Sequence, residues 1–192
     1  MIPIYNFADL PEEKILNRDI RAEADVQDAV AAIVADVRRR GDEALREYEK
    51  RFDGADLSDL EVTQEEIEAA WERTDPYFRQ TLQQVTENIR DFHRRQLHQN
   101  FMVSGENGVV MGQRYTPIEK VGICVPGTPV AFPSTILMNV IPARLAGVSE
   151  ILIATAPAPD GTIRDEALAA ARVSGAQRVF RIGGAQAVAA LA

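Results

Sequence analysis

A chain of 192 residues, 46% hydrophobic and 26% charged, is long enough for one substantial core or two small ones, and is too apolar for general disorder. Its net charge of −8 resides in residues 1–107, with 14 Lys/Arg against 24 Asp/Glu, whereas residues 108–192 carry 7 against 5. An acidic half without a basic stripe argues against nucleic-acid binding, a single cysteine excludes an internal disulfide framework, and two histidines without a cysteine cluster leave no usual four-ligand zinc pattern.

The opening MIPIYNFADLPEEK lacks a basic region followed by an apolar one, and no stretch reaches the ~18 apolar residues of a membrane span. A reducing cytoplasm and no membrane partner are therefore expected. From Asp25 onward, Val26, Val30, Ile33, Val34 and Val37 recur at helical spacing, with Gly41 as the residue that ends the helix. Arg38, Arg39 and Arg40 read as its solvated last turn, where cations suit the helix dipole. Asp42 is placed to cap a second helix through EALREYEKRF, with Leu45, Tyr48 and Phe52 on one face. Thr63 and Glu66 form a capping box ahead of a third helix, and Pro76 opens a long fourth one that runs through Phe92 and on beyond Gln96. The first hundred residues thus read as an all-helical, acidic segment.

Near residue 102 the period changes. MVSGENGVVMGQRYTPI alternates apolar residues around an Asn-Gly step, a hairpin signal. A strand, turn, helix unit then recurs as KVGICV with STILMNVIPARLAG, EILIATA with RDEALAAARVSG, and RVFRI with AQAVAALA. Strands apolar on both faces and separated by helices signal a parallel sheet with helical crossovers. The expected organisation is α/β: a helical segment over 1–105, then a partial Rossmann-like parallel sheet over 106–192. Ligands of such sheets lie beyond the carboxyl ends of the strands, which are here 126–133, 155–161 and 183–186.

In VPGTPVAFPST, Gly127 permits a close or positive-φ backbone and Ser134 or Thr135 is placed to cap the next helix, whose free N–H groups suit a phosphate or polar group. The spacing matches neither common phosphate-loop motif, so a plain structural turn is the stronger reading. In IGGAQA, Gly183 and Gly184 allow close approach to the main chain, and Gln186 offers an amide as donor and acceptor. Cys124 lies near a strand's carboxyl end, but no base or cation can be named for a thiolate, which makes a small buried residue the better reading. His93 and His98 are five apart on the fourth helix and do not form a metal pair. The carboxylates of the first half sit at solvent-facing helix positions, and no acid/base pair stands out.

GDEALREYEKRFDG, NIRDFHRRQ, VGICVPGTPVAFPSTILMNVIPARLAGV and RIGGAQAVAALA, in that order, resemble the N-terminal part of the histidinol dehydrogenase family. The resemblance implies an aldehyde/histidinol dehydrogenase-like fold, NAD-dependent oxidation of L-histidinol to L-histidine in two steps at a zinc site, and a homodimer. It assigns two positions here to NAD. Gln186 agrees with the family, whereas Cys124 stands where members carry tyrosine in YVPGG, and Thr128 replaces the second glycine of that motif. A cysteine covers less of a cofactor face than a tyrosine ring, so weak or absent NAD binding is expected. Family chains run to more than twice this length, and their zinc ligands, catalytic glutamate and histidine and substrate contacts follow the GGAQAVAALA motif. The resemblance therefore implies no catalytic or metal-ligating residue in this chain. The other reading of the residues is a non-catalytic α/β module that binds a nucleotide or a partner chain.

Overall fold

The computed structural model describes residue 6, residues 24–127 and residues 130–192. Helix α1 (Ala24–Arg40) ends at Gly41, whose positive φ of 59° is one that glycine adopts readily. Only the second half of its apolar stripe is covered: Val37 is buried, while Val26 and Val30 remain exposed. The arginine run is more than a solvated end, since Asp36 accepts from Arg39 at 2.7 Å and from Arg40 at 2.6 Å, and Arg40 also reaches Glu47 of the next helix at 2.8 Å. Those bonds hold the Asp36 carboxyl well below the usual range.

Helix α2 (Asp42–Phe52) is not capped by Asp42: Gly41 occupies the N-cap without a side-chain bond, and Asp42 and Glu43 lie in the first turn, where their charge favours the helix dipole. Leu45 is buried, but Phe52 is exposed and stacks on Tyr48. The segment is not all helical either. Strand β1 (Glu61–Val62) precedes α3 (Gln64–Arg73), and two residues are too few to carry a period. The α3 capping box is complete, with Thr63 Oγ1 accepting from the Glu66 N–H at 3.2 Å and Glu66 accepting from the Thr63 N–H at 2.8 Å. Asp75 caps α4 (Pro76–Arg94) by accepting from the Phe78 N–H at 3.0 Å. The helix stops before His98, which stacks on Tyr115 at 4.7 Å and so shares no helix with His93.

The expected hairpin is β2 (Phe101–Ser104) and β3 (Val110–Gln113), with Asn107 and Gly108 both at positive φ, as the Asn-Gly step requires. Every residue of both strands is exposed.

The main sheet has the order β1-β6-β5-β4, from β4 (Lys120–Val125), β5 (Glu150–Thr155) and β6 (Arg178–Phe180). β4 pairs β5 and β5 pairs β6 in parallel, through the crossover helices α5 (Pro133–Ala146) and α6 (Asp165–Ser174). β1 joins antiparallel, with Glu61 opposite Phe180 and Val62 opposite Val179. One cluster gathers Ile123, Val125, Ile151, Ile153 and Val179 with α3 to α6, and a second gathers Ala154 and Phe180 with α1, α2 and α7 (Gly184–Leu191). The central strand β5 is covered on both faces, as its apolar run predicts. β4 is not: as an edge strand it leaves Lys120, Gly122 and Cys124 exposed and buries Ile123 and Val125.

Candidate functional site

The parallel strands carry their turns to one end, where the chain packs so closely that side chains are excluded. A Cβ on Gly127 would lie 2.3 Å from the Ala156 carbonyl oxygen, and one on Gly183 would lie 2.6 Å from the Ala156 Cβ. Thr155 Oγ1, at the end of β5, donates to the Pro126 carbonyl at 3.5 Å. The loops after β4, β5 and β6 therefore meet around Ala156, and Gly127 and Gly183 serve that contact whether or not a ligand is present. A space of about 10 Å³ lies between Pro126, Ala131, Thr155 and Ala167.

The expected cap of α5 is absent. Phe132 is its N-cap, Pro133 opens the helix, and Ser134 and Thr135 lie inside it without capping. Thr128 lies outside the described residues.

Gln186 is buried, 1% exposed, in the first turn of α7, and its Nε2 donates to Glu49 Oε1 at 2.9 Å. The same oxygen accepts the Gly183 N–H at 3.0 Å. Glu49 comes from α2, is fully buried, and its Oε2 has no partner. Burial disfavours the carboxylate and pushes its pKa up to about 7; the bonds from Gln186 and Gly183 oppose the rise, and nearby Asp53 adds to it. The reading of all first-half carboxylates as solvent-facing is thus wrong at Glu49. The signal was in the spacing: Glu49 falls four residues after Leu45 and three before Phe52, on the stripe assigned to the core.

Cys124 stands apart from this network. It is exposed on β4, which corrects the expectation of a buried residue, because β4 is the last strand of the sheet on that side. The partial burial it has raises its thiol, the opposite of what a nucleophilic thiolate needs.

A groove of about 770 Å³ lies elsewhere, among Leu45, Leu60, Phe180 and Leu191. Arg178 at its rim is held by Glu61 at 2.6 Å and Arg46 donates to the Ser58 carbonyl at 3.1 Å, so these cations are already engaged. Among the described residues, no group of three or more His, Cys, Asp or Glu is placed to hold a metal ion, and no helix is long and apolar enough to cross a membrane.

Parallel strands, helical crossovers and a crevice at the strands' carboxyl ends define a Rossmann-like α/β protein. The histidinol dehydrogenase family model matches residues 16–192. The histidinol dehydrogenase of Geobacillus kaustophilus is 47% identical over 164 residues, covering 85% of this chain and 39% of that protein. That of Chlorobium luteolum is 43% identical over 194 residues, covering 100% of this chain and 44% of that protein. The crystal structure of histidinol dehydrogenase from Elizabethkingia anophelis superimposes with a TM-score of 0.83 at 34% identity, over 86% of this chain and 38% of that one. This chain belongs to the histidinol dehydrogenase family. It spans about two-fifths of the length of these relatives.

Proposed function

We propose that the chain supplies the N-terminal portion of an NAD-dependent oxidation of L-histidinol to L-histidine, in the cytoplasm, with the part over 1–105 as scaffold for the α/β part over 106–192. Family membership carries this reading. NAD, when bound, supplies the hydride acceptor; zinc belongs to the family's site, for which the described residues offer no ligand cluster.

Gln186 fits one contact with the cofactor. Its donor half is taken by Glu49, and its Oε1 lies against Gly184, 2.7 Å from where a Cβ would stand, which leaves an acceptor for a hydroxyl or amide hydrogen. Cys124 offers little area to cover a cofactor face. A calorimetric titration of the chain with NAD should therefore give a Kd no tighter than about 1 mM, or about 4 kcal/mol. Gln186→Ala should weaken binding and Cys124→Tyr should strengthen it. Low-micromolar affinity, or indifference to both substitutions, contradicts this assignment.

The reading also includes a homo-oligomer, supported by the hairpin: Phe101, Met102, Val103, Val110 and Met111 are all more than half exposed. Phe101, Val103 and Met111 lie on one side of the hairpin and Met102 and Val110 on the other, and so much apolar surface is unusual for a ribbon that meets only water. Sedimentation should show association that rises with concentration and is lost in Met102→Asp with Val110→Asp. A monomer at all concentrations rejects it.

A further inference from the structure

We propose that Glu49 is a positioning residue for Gln186: from α2 it fixes the amide of α7 so that the oxygen, and not the nitrogen, is presented to a ligand. This rests on Gln186 being the cofactor contact proposed above. A primary amide has two halves of nearly equal shape, and a glutamine free to rotate offers either one. An ionised carboxylate only accepts hydrogen bonds, so Glu49 Oε1, 2.9 Å from Gln186, selects the nitrogen. The amide oxygen is thereby turned toward the start of the helix, where Gly184 leaves room for it. The bond from the Gly183 N–H at 3.0 Å ties the same carboxylate to the main chain of that turn. With the amide oxygen left as the free half, the site suits a ribose hydroxyl or a carboxamide N–H and disfavours a phosphate oxygen.

The surroundings make this hold sensitive to protonation. Asp53, at the end of α2, acts against the ionised form. Helix α7 contributes no titratable side chain. Helix α1, which shares the apolar cluster of Val37 and Leu45 with α2, carries Asp36 and Arg40, and these are engaged with one another, Glu47 and Tyr48.

The test uses the 192-residue chain and NAD as the probe, with two readouts. Heteronuclear NMR follows the Gln186 side-chain amide across pH. Its signals should move with a midpoint near 7 in the wild type and stay flat in Glu49→Gln. NMR titration with NAD should show about ten-fold weaker binding in Glu49→Ala, the scale of one ordered hydrogen bond, with most of it restored in Glu49→Gln. Gln186 signals that ignore pH in the wild type overturn the proposal. So does an unchanged affinity in Glu49→Ala when Gln186→Ala loses binding. If Gln186→Ala binds NAD as well as wild type, it is the cofactor assignment of Gln186 that fails, and the amide titration alone decides whether Glu49 holds the amide. That comparison of wild type with Glu49→Gln also suffices if Glu49→Ala does not fold.

Discussion

Arg181→Ala is expected to destabilise the chain by about 2–4 kcal/mol and to loosen β1 from the sheet, because three separate segments converge on this one guanidinium. Arg181 is 9% exposed and directly follows β6. Its Nε donates to the Gly161 carbonyl at 3.0 Å, and its terminal nitrogens donate to the Glu61 carbonyl and to Glu66 Oε1. Its own N–H donates to the Leu60 carbonyl at 2.7 Å, continuing the short antiparallel pairing of β1. A two-residue strand has little pairing of its own, so the side chain is what fastens it. Truncation leaves two carbonyls without their donor and removes the partner of Glu66. Burial alone would raise the Glu66 carboxyl; Arg181 and the bond from Thr63 overcome it and hold it below the ordinary value. The variant should accordingly lose protection of the 60–62 amides in hydrogen exchange, and Glu66 should titrate higher. Arg181→Lys should recover only part of the stability, since an ammonium cannot span three acceptors set by a planar fork. Equal stability of Arg181→Ala and wild type in urea would show that β1 is held by its neighbours without this residue.

What local chemistry could announce was legible. The Thr63 and Glu66 capping box, the Pro76 start and the Asn107-Gly108 turn are each written in residues adjacent in the chain, and each stands where it was read. The three parallel strands followed from apolar runs interrupted by helix-length segments. Errors arose where the deciding partner is remote. β1 exists because of β6 and Arg181, more than a hundred residues away in sequence, and nothing within two residues can reveal that. Cys124 looked buried because the KVGICV run is apolar, but burial of a strand depends on its place in the sheet, and β4 is at the edge. Asp42, Ser134 and Thr135 are good capping residues one to three positions too late: Gly41 and Phe132 set the helix starts. Gln186 is marked by its motif, whereas its partner Glu49 sits in an acidic half whose charge points to solvent, and only its place on the Leu45 stripe points inward.

That buried acid also governs how stability depends on pH. The Glu49 carboxyl ionises near 4.5 when unfolded and at about 7 when folded, chiefly because burial penalises its charge. Below the lower value both states are protonated and Glu49 contributes nothing. Between the two values the folded state keeps a proton that the unfolded state has lost, so folding stability falls as pH rises. Above about 7 both are ionised and the penalty is fully present. At about 1.4 kcal/mol per unit, the cost reaches roughly 3 kcal/mol at its largest. Carboxylates such as Asp36, Glu47 and Glu61, held low by arginines, work in the opposite sense at lower pH, so the Glu49 contribution is read from a difference and not from one curve. Glu49→Gln removes the titration while keeping an oxygen to accept from Gly183 and Gln186, and its amide nitrogen takes the place of the unpartnered Oε2 near Asp53. The variant should match wild type within about 1 kcal/mol at about pH 5 and exceed it by about 2–3 kcal/mol at about pH 8 in urea denaturation. A difference that is constant from acid to neutral pH would mean that Glu49 keeps one charge state throughout, and its buried, half-unpartnered carboxylate would then not be what folding works against.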